Sequence, residues 1–247
     1  MASSLLGWSK EILKSWRGNE QEEIKFRPFL VKEQKILLLA MESEDRSFIN
    51  NNIKEVLKNC CLSDINIDEL SAVDIEYFFL QLRARSIGEI VESRYRCENL
   101  VEDEDTEELV PCKNLMPVNL DLLKIKVDTS NYKDTIQITG EVGIKFKYPT
   151  YKTLEKLNSD KNIIEKTFET IIDCIDYIFD ENNFYYPKEL SKKELQEFIE
   201  SLDIQTYKKI EEYFKNLPKL KEDISIKCDK CGFEHHIHLE GLESFLD

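Results

Sequence analysis

Cys228-Asp229-Lys230-Cys231-Gly232-Phe233 is the stretch on which the reading of this chain turns. Two cysteines separated by two residues place both sulfurs on one tight turn, and a glycine just after the second relieves the backbone there. The flanks are strand-like. Ile224 and Ile226 before the cysteines, and Phe233, Ile237 and Leu239 after them, predict two short strands folded back at the turn. A structural zinc site almost always takes four protein ligands, so this knuckle is half a site. The other half has to come from elsewhere, and the only other spaced pair is Cys97 and Cys112, more than a hundred residues upstream.

Fourteen residues separate Cys97 from Cys112, which is not a knuckle spacing by itself. Six of the seven residues from Glu102 to Glu108 are acidic. No core accepts such a run, so the segment reads as a solvated finger whose ends meet while its tip stays in water. Glu89 to Cys97 and Val118 to Val127 alternate as strands and are expected to pair antiparallel on either side of it. One zinc ion held by Cys97, Cys112, Cys228 and Cys231 is the resulting expectation, a closed structural site with no position left for water or substrate. His235, His236 and His238 follow at once. Side chains alternate across a strand, so His236 and His238 share a face and His235 points the other way. With four thiols at hand the histidines are expected at the surface or behind the ligands, although one of them replacing a cysteine stays open.

Composition narrows the function classes. The formal charge of −15 over 247 residues argues against binding nucleic acid, which is driven by Lys and Arg displacing counterions, and against an anionic membrane surface. No signal-peptide pattern and no long apolar run is visible, so synthesis and function are expected to begin in a cytosol. Seven cysteines without an export signal favour metal binding or burial over a disulfide framework. Cys60, Cys61 and Cys174 fall in helical patterns and read as buried thiols.

Along the chain, Leu5, Trp8, Ile12, Leu13 and Trp16 make one apolar stripe at helical spacing, which predicts a short amphipathic arm over residues 1–20. Such a helix depends on packing, either on its own domain or on a partner. Residues 32–41 read as a helix carrying Ile36, Leu37, Leu38 and Leu39 into a core, followed by helices over about 45–61 and 74–88. Arg83 and Arg85, with Arg94 and Arg96, cluster in an otherwise acidic protein and either pair internally or face an acidic partner. Residues 135–147 read as an extended pair, Ile163 to Phe179 as one strong amphipathic helix, and Ser191-Lys192-Lys193-Glu194 as a capping box opening another. The fold class expected is α+β, mainly helical, with short antiparallel β-hairpins brought together at a zinc-ribbon-like site of four cysteines. A Gly-rich phosphate loop, an HExxH pattern and a nucleophile elbow are all absent from the sequence, and every histidine lies in one four-residue window, so no catalysis is expected.

Several segments together carry a resemblance: Lys25-Phe26-Arg27-Pro28-Phe29-Leu30-Val31-Lys32, Leu39-Ala40-Met41-Glu42-Ser43, and Asp74 to Ala84. It continues through Val118-Asn119-Leu120-Asp121-Leu122, Phe146-Lys147-Tyr148-Pro149-Thr150, Glu197 to Leu202, and the cysteine tail with Gly241-Leu242. Over roughly residues 24–246 the chain resembles the baseplate protein family of T-even-like contractile-tailed bacteriophages. The resemblance implies a non-enzymatic protein tied to the baseplate hub, with other baseplate and hub proteins as partners. The reading adopted is a hub assembly factor or chaperone in the host cytoplasm; the alternative is a stoichiometric subunit of the virion baseplate. A rival of another class is a zinc-ribbon nucleic-acid binder using the arginines. Two regions are expected, the arm over 1–20 and one family domain over 21–247 whose zinc site joins 89–127 to 222–239. The arm residues Leu5, Trp8, Ile12 and Trp16, with Arg83 and Arg85, are the candidate partner contacts.

Overall fold

The computed structural model describes residues 11–14, 23–43, 45–102, 107–150, 152–153 and 163–245. About 40% of these are helical and 29% strand, so the expectation of a mainly helical chain is wrong. The excess strand comes from places where helical spacing and β-branched or aromatic composition coincide. Ile163 to Phe179 is the clearest case. The helix stops at Asp173, and Ile175–Phe179 is a strand inside a four-stranded sheet. Ile175 and Ile178 sit at helical spacing, a register shift between Ile175 and Tyr177 lets both be buried in the strand, and pairing with strands on both sides decides for the sheet.

The order of elements is β1 (Glu11–Lys14), β2 (Glu23–Phe26), α1 (Val31–Met41), α2 (Arg46–Cys60) and α3 (Ala72–Ser86), then β3 (Ile90–Arg96) and β4 (Leu100–Glu102). There follow β5 (Leu109–Pro111), β6 (Leu115–Asp121), β7 (Lys126–Asp128), β8 (Thr135–Gln137), β9 (Gly143–Phe146), α4 (Ile163–Asp173), β10 (Ile175–Phe179) and β11 (Phe184–Tyr185). The chain ends through α5 (Lys192–Glu200), α6 (Ile204–Lys215), β12 (Lys219–Lys227) and β13 (Glu234–Glu240), with a closing 3-10 turn over Leu242–Phe245. The described strands form five small antiparallel sheets. One of them pairs β1 with β2, Ile12 opposite Lys25. Residues 11–14 are therefore strand where the apolar stripe predicts helix, and Leu5, Trp8 and Trp16 lie outside the described residues.

Two apolar cores carry the molecule. The first gathers Ile24 and Phe26 of β2, Val56 and Leu57 of α2, and Ile75, Phe78 and Leu82 of α3. Phe26 and Phe78 meet edge to face at 5.3 Å. Ser71 caps α3, its Oγ accepting from Asp74 N at 3.2 Å, which satisfies one of the donors a helix start leaves open. The second core joins β8, β9 and β10 to α4, α5 and α6 through Ile144, Phe146, Ile175, Leu195, Ile199 and Ile210. Ser191 and Glu194 form the expected capping box on α5. The two cores are tied at 147–150, where Tyr213 donates to Lys147 O at 2.9 Å and Ala72 N to Pro149 O at 3.1 Å.

From the first core two ribbons project. Leu120 of β6 and Leu220 of β12 are both buried in it, as are Leu242 and Phe245 of the closing turn. One ribbon is β3 with β6, in register from Ile90 opposite Asp121 to Arg96 opposite Leu115. The other is β12 with β13, joined along its base to β7. The expected strand from Val118 to Val127 is thus divided between two sheets. Cys112 and Cys228 each lie eight residues beyond their ribbon's buried leucine. Arms of equal length meet at the cysteines.

Candidate metal centre

Each ribbon reaches the cluster through a different kind of turn. In β12 and β13 it is the knuckle itself: Cys228 N donates to Phe233 O at 2.8 Å and Gly232 N to Cys228 O at 2.9 Å. That closure sends Gly232 into the left-handed region at φ +72°, which favours glycine. In the other ribbon the ladder breaks between Arg96 and Leu100 on one strand and between Pro111 and Leu115 on the other. The gaps are filled by Cys97-Glu98-Asn99 and Cys112-Lys113-Asn114, two Cys-x-Asn turns that face each other. Cys97 N donates to Asn114 O and Cys112 N to Asn99 O, both at 2.8 Å, and Lys113 sits at φ +56°. Beyond them β4 and β5 continue as the finger.

The four sulfurs converge. Every Sγ of Cys97, Cys112, Cys228 and Cys231 lies within 4.8 Å of the others; Cys97 and Cys231 are 3.6 Å apart, Cys112 and Cys228 3.9 Å. A tetrahedron of thiolates about 2.3 Å from one ion has edges of roughly 3.8 Å, so these spacings suit a single ion. Cys97, Cys112 and Cys228 are buried and Cys231 partly so. The surroundings are thin. Met116 is the one other fully buried apolar side chain of this cluster, with Tyr95, Val101 and Ile226 partly buried around it.

Hydrogen-bond donors surround the sulfurs. Asn99 Nδ2 reaches Cys231 Sγ at 3.6 Å and Asn114 Nδ2 reaches Cys228 Sγ at 3.5 Å. Asn114 also bonds the Asp229 carboxylate. Backbone N–H groups of Cys231 and Lys230, with the Asn114 amide, outweigh desolvation and bring the Cys228 thiol down to about 6. Desolvation, with the other three sulfurs adding to it, pushes Cys97 up to about 12. Four thiols this close cannot all ionise without a cation among them.

The histidines divide as strand alternation predicts. His236 and His238 are exposed, bonded to Ser225 Oγ at 3.0 Å and to the Asp223 carboxylate respectively. His235 is buried, its Nε2 3.2 Å from Cys97 Sγ, with Tyr95 and Phe233 rings at its edges. It stands behind a sulfur rather than among the ligand atoms, one of the two places expected of the histidines. Asn99 and Asn114 were missed. The repeated Cys-x-Asn was a signal open to reading.

The arginines part company too. Arg85, partly buried, bonds Gln81 Oε1 at 2.6 Å and lies over the Phe26 ring at 6.0 Å. Arg83 makes no hydrogen bond or ion pair among the described residues and lines an apolar groove. Arg94 and Arg96 are exposed on β3.

The family model described as T4 bacteriophage base plate protein matches residues 10–247, nearly the whole chain and all four cysteines. The chain belongs to this base plate family. Neither a curated protein nor a solved structure matches it. Membership in the base plate family implies interaction with other phage baseplate proteins and connects the chain with the virion tail. Among its described residues, no helix is long and apolar enough to cross a membrane.

Proposed function

We propose that this base plate protein is a non-enzymatic assembly factor of the baseplate hub, acting in the host cytoplasm, and that one structural zinc ion joins its two ribbons. The observation that carries the metal is the convergence of four sulfurs at the ends of two arms with almost no core between them. Two-stranded ribbons are marginal in water, and here each is rooted only at its base. A tetrahedral ion supplies the missing cross-link, and its binding energy becomes folding energy for both arms. Four thiolates fill its coordination shell, which leaves no site for Lewis-acid chemistry. The role that follows is mechanical: the ion holds two exposed ribbons and the acidic finger in fixed relation, as a part that docks into an assembling complex requires.

The experiment is to measure metal and whereabouts together. Elemental mass spectrometry of the purified chain should give one zinc per molecule. Protein mass spectrometry should find the chain on hub intermediates and not in mature virions. The second reading, a stoichiometric hub subunit, has family membership behind it equally. Stoichiometric amounts in purified virions would establish it and end the assembly-factor reading.

A further inference from the structure

Helices α1, α2 and α3 leave an apolar groove of about 220 Å³, walled by Phe29, Leu37, Leu38, Met41, Ile53 and Phe79. The sequence pattern predicts Leu38 and Leu39 in a core, and they are not. Val31, Leu38, Leu39 and Met41 are each more than half exposed along α1. Large apolar side chains massed on one helix beside a groove mark a surface that something covers. Arg83, from the last turn of α3, is the groove's cation. It is partly buried and burial alone lowers its pKa, with no charged neighbour contributing. A guanidinium that loses water without gaining an acceptor is costly, and its planar fork is shaped for a carboxylate.

We infer that the groove seats an amphipathic helix of another baseplate protein, apolar at spacings of three and four and carrying one Asp or Glu that meets Arg83. This rests on the baseplate reading and names the surface through which the partner is held. Charge selects the occupant. Residues 1–10 contain no Asp or Glu, so that segment has no carboxylate to offer Arg83. A second copy docked two-fold through this face brings the same patch against itself, and no carboxylate is among the described residues that line it. A helix laid in a groove through apolar anchors, fixed in register by one buried ion pair, meets both requirements.

The test places a photo-crosslinking residue at Leu38 of the full-length chain in phage-infected cells, with exposed Glu181 as the control position. The expected result is an adduct from position 38 and not from 181, to a segment of one other baseplate protein that has helical apolar spacing and an acidic residue. Arg83→Glu should cut its yield about tenfold or more while the melting temperature holds, and reversing the partner's acidic residue to Arg should restore it. Adducts to residues 1–10, to a second copy, or to a partner indifferent to Arg83→Glu overturn the inference. So does no adduct in a chain that still travels with baseplate intermediates, an outcome that leaves the baseplate reading standing. A chain that never associates with those intermediates ends both.

Discussion

Asn114 follows Cys112 by two residues, yet its side-chain amide serves the sulfur of Cys228 on the opposite ribbon, 3.5 Å away. Asn99 repeats the relationship from Cys97 to Cys231 at 3.6 Å. Each Cys-x-Asn turn thus supplies one sulfur to the cluster and one hydrogen bond to a sulfur it does not own. Such bonds stabilise thiolate charge and fix the orientation of the ligands. Replacing both asparagines by Ala keeps all four sulfurs and should speed metal release to a coloured chelator by about tenfold or more, within the range of outer-shell effects. Unchanged release kinetics would show the amides to be bystanders.

The double variant Cys228→Ser with Cys231→Ser should lose the ion and lower the melting temperature by about 5 °C or more. Where stability is lost matters more than how much. The ribbons have little core of their own, whereas the two main cores are held by apolar packing. Hydrogen exchange should therefore accelerate in β3, β6, β12 and β13 beyond their bases and stay slow in α3 and α4. A metal-free variant that melts and exchanges like the parent removes the bracing role.

Glu33 is fully buried at the start of α1, its Oε1 3.0 Å from Arg27 Nη2 and its Oε2 accepting from Leu30 N at 2.8 Å. Burial pushes its pKa up, but Arg27, the Leu30 N–H and Lys32 together push harder the other way, so it lies below its usual 4.5. A carboxylate depressed in the folded state stabilises above its unfolded pKa, and that contribution disappears as pH falls through the folded value. Stability should thus drop below about pH 4.5. Glu33→Gln should cost roughly 2–3 kcal/mol at pH 7 and flatten the acid limb. Equal acid sensitivity in parent and variant, followed by thermal melts from pH 3 to 7, would assign it to other carboxylates.

The cysteine site was legible because its chemistry is written in residue identity. Only two spaced pairs exist, and a solvated acidic run cannot hold its ends apart inside a core. The helix start at Ser191 was legible for the same reason, since a cap is a local bond between named side chains and the backbone. The balance of helix and strand was not. Ile175–Phe179 and Glu11–Lys14 carry helical spacing, and what makes them strands is a partner strand elsewhere in the chain. The exposure of Leu38 and Leu39 was hidden likewise, because apolar residues look alike on a core face and on a docking face.

One more contact of that long-range kind gives a test of the second core. Gly143 opens β9 between β8 and β10, with Phe179 and Gln137 opposite it on either side. A Cβ at this position would lie 2.4 Å from the tip of the Phe179 ring and 3.0 Å from Ile136 O. The ring closes over the space a side chain would take, and the Ile136 oxygen is backbone held in the sheet, which gives way less readily than the end of a side chain. Gly143→Ala should therefore destabilise by about 1–3 kcal/mol, the usual cost of overpacking, despite the better strand entropy of alanine. Shortening the ring with Phe179→Leu should be less harmful in the Gly143→Ala background than in the parent, since it removes the nearer clash, while the Ile136 contact leaves a residual cost. Chemical denaturation of the four proteins measures the coupling. Additive losses would mean that ring and glycine are independent, and a Gly143→Ala variant as stable as the parent would mean that the sheet yields where its backbone contacts say it cannot.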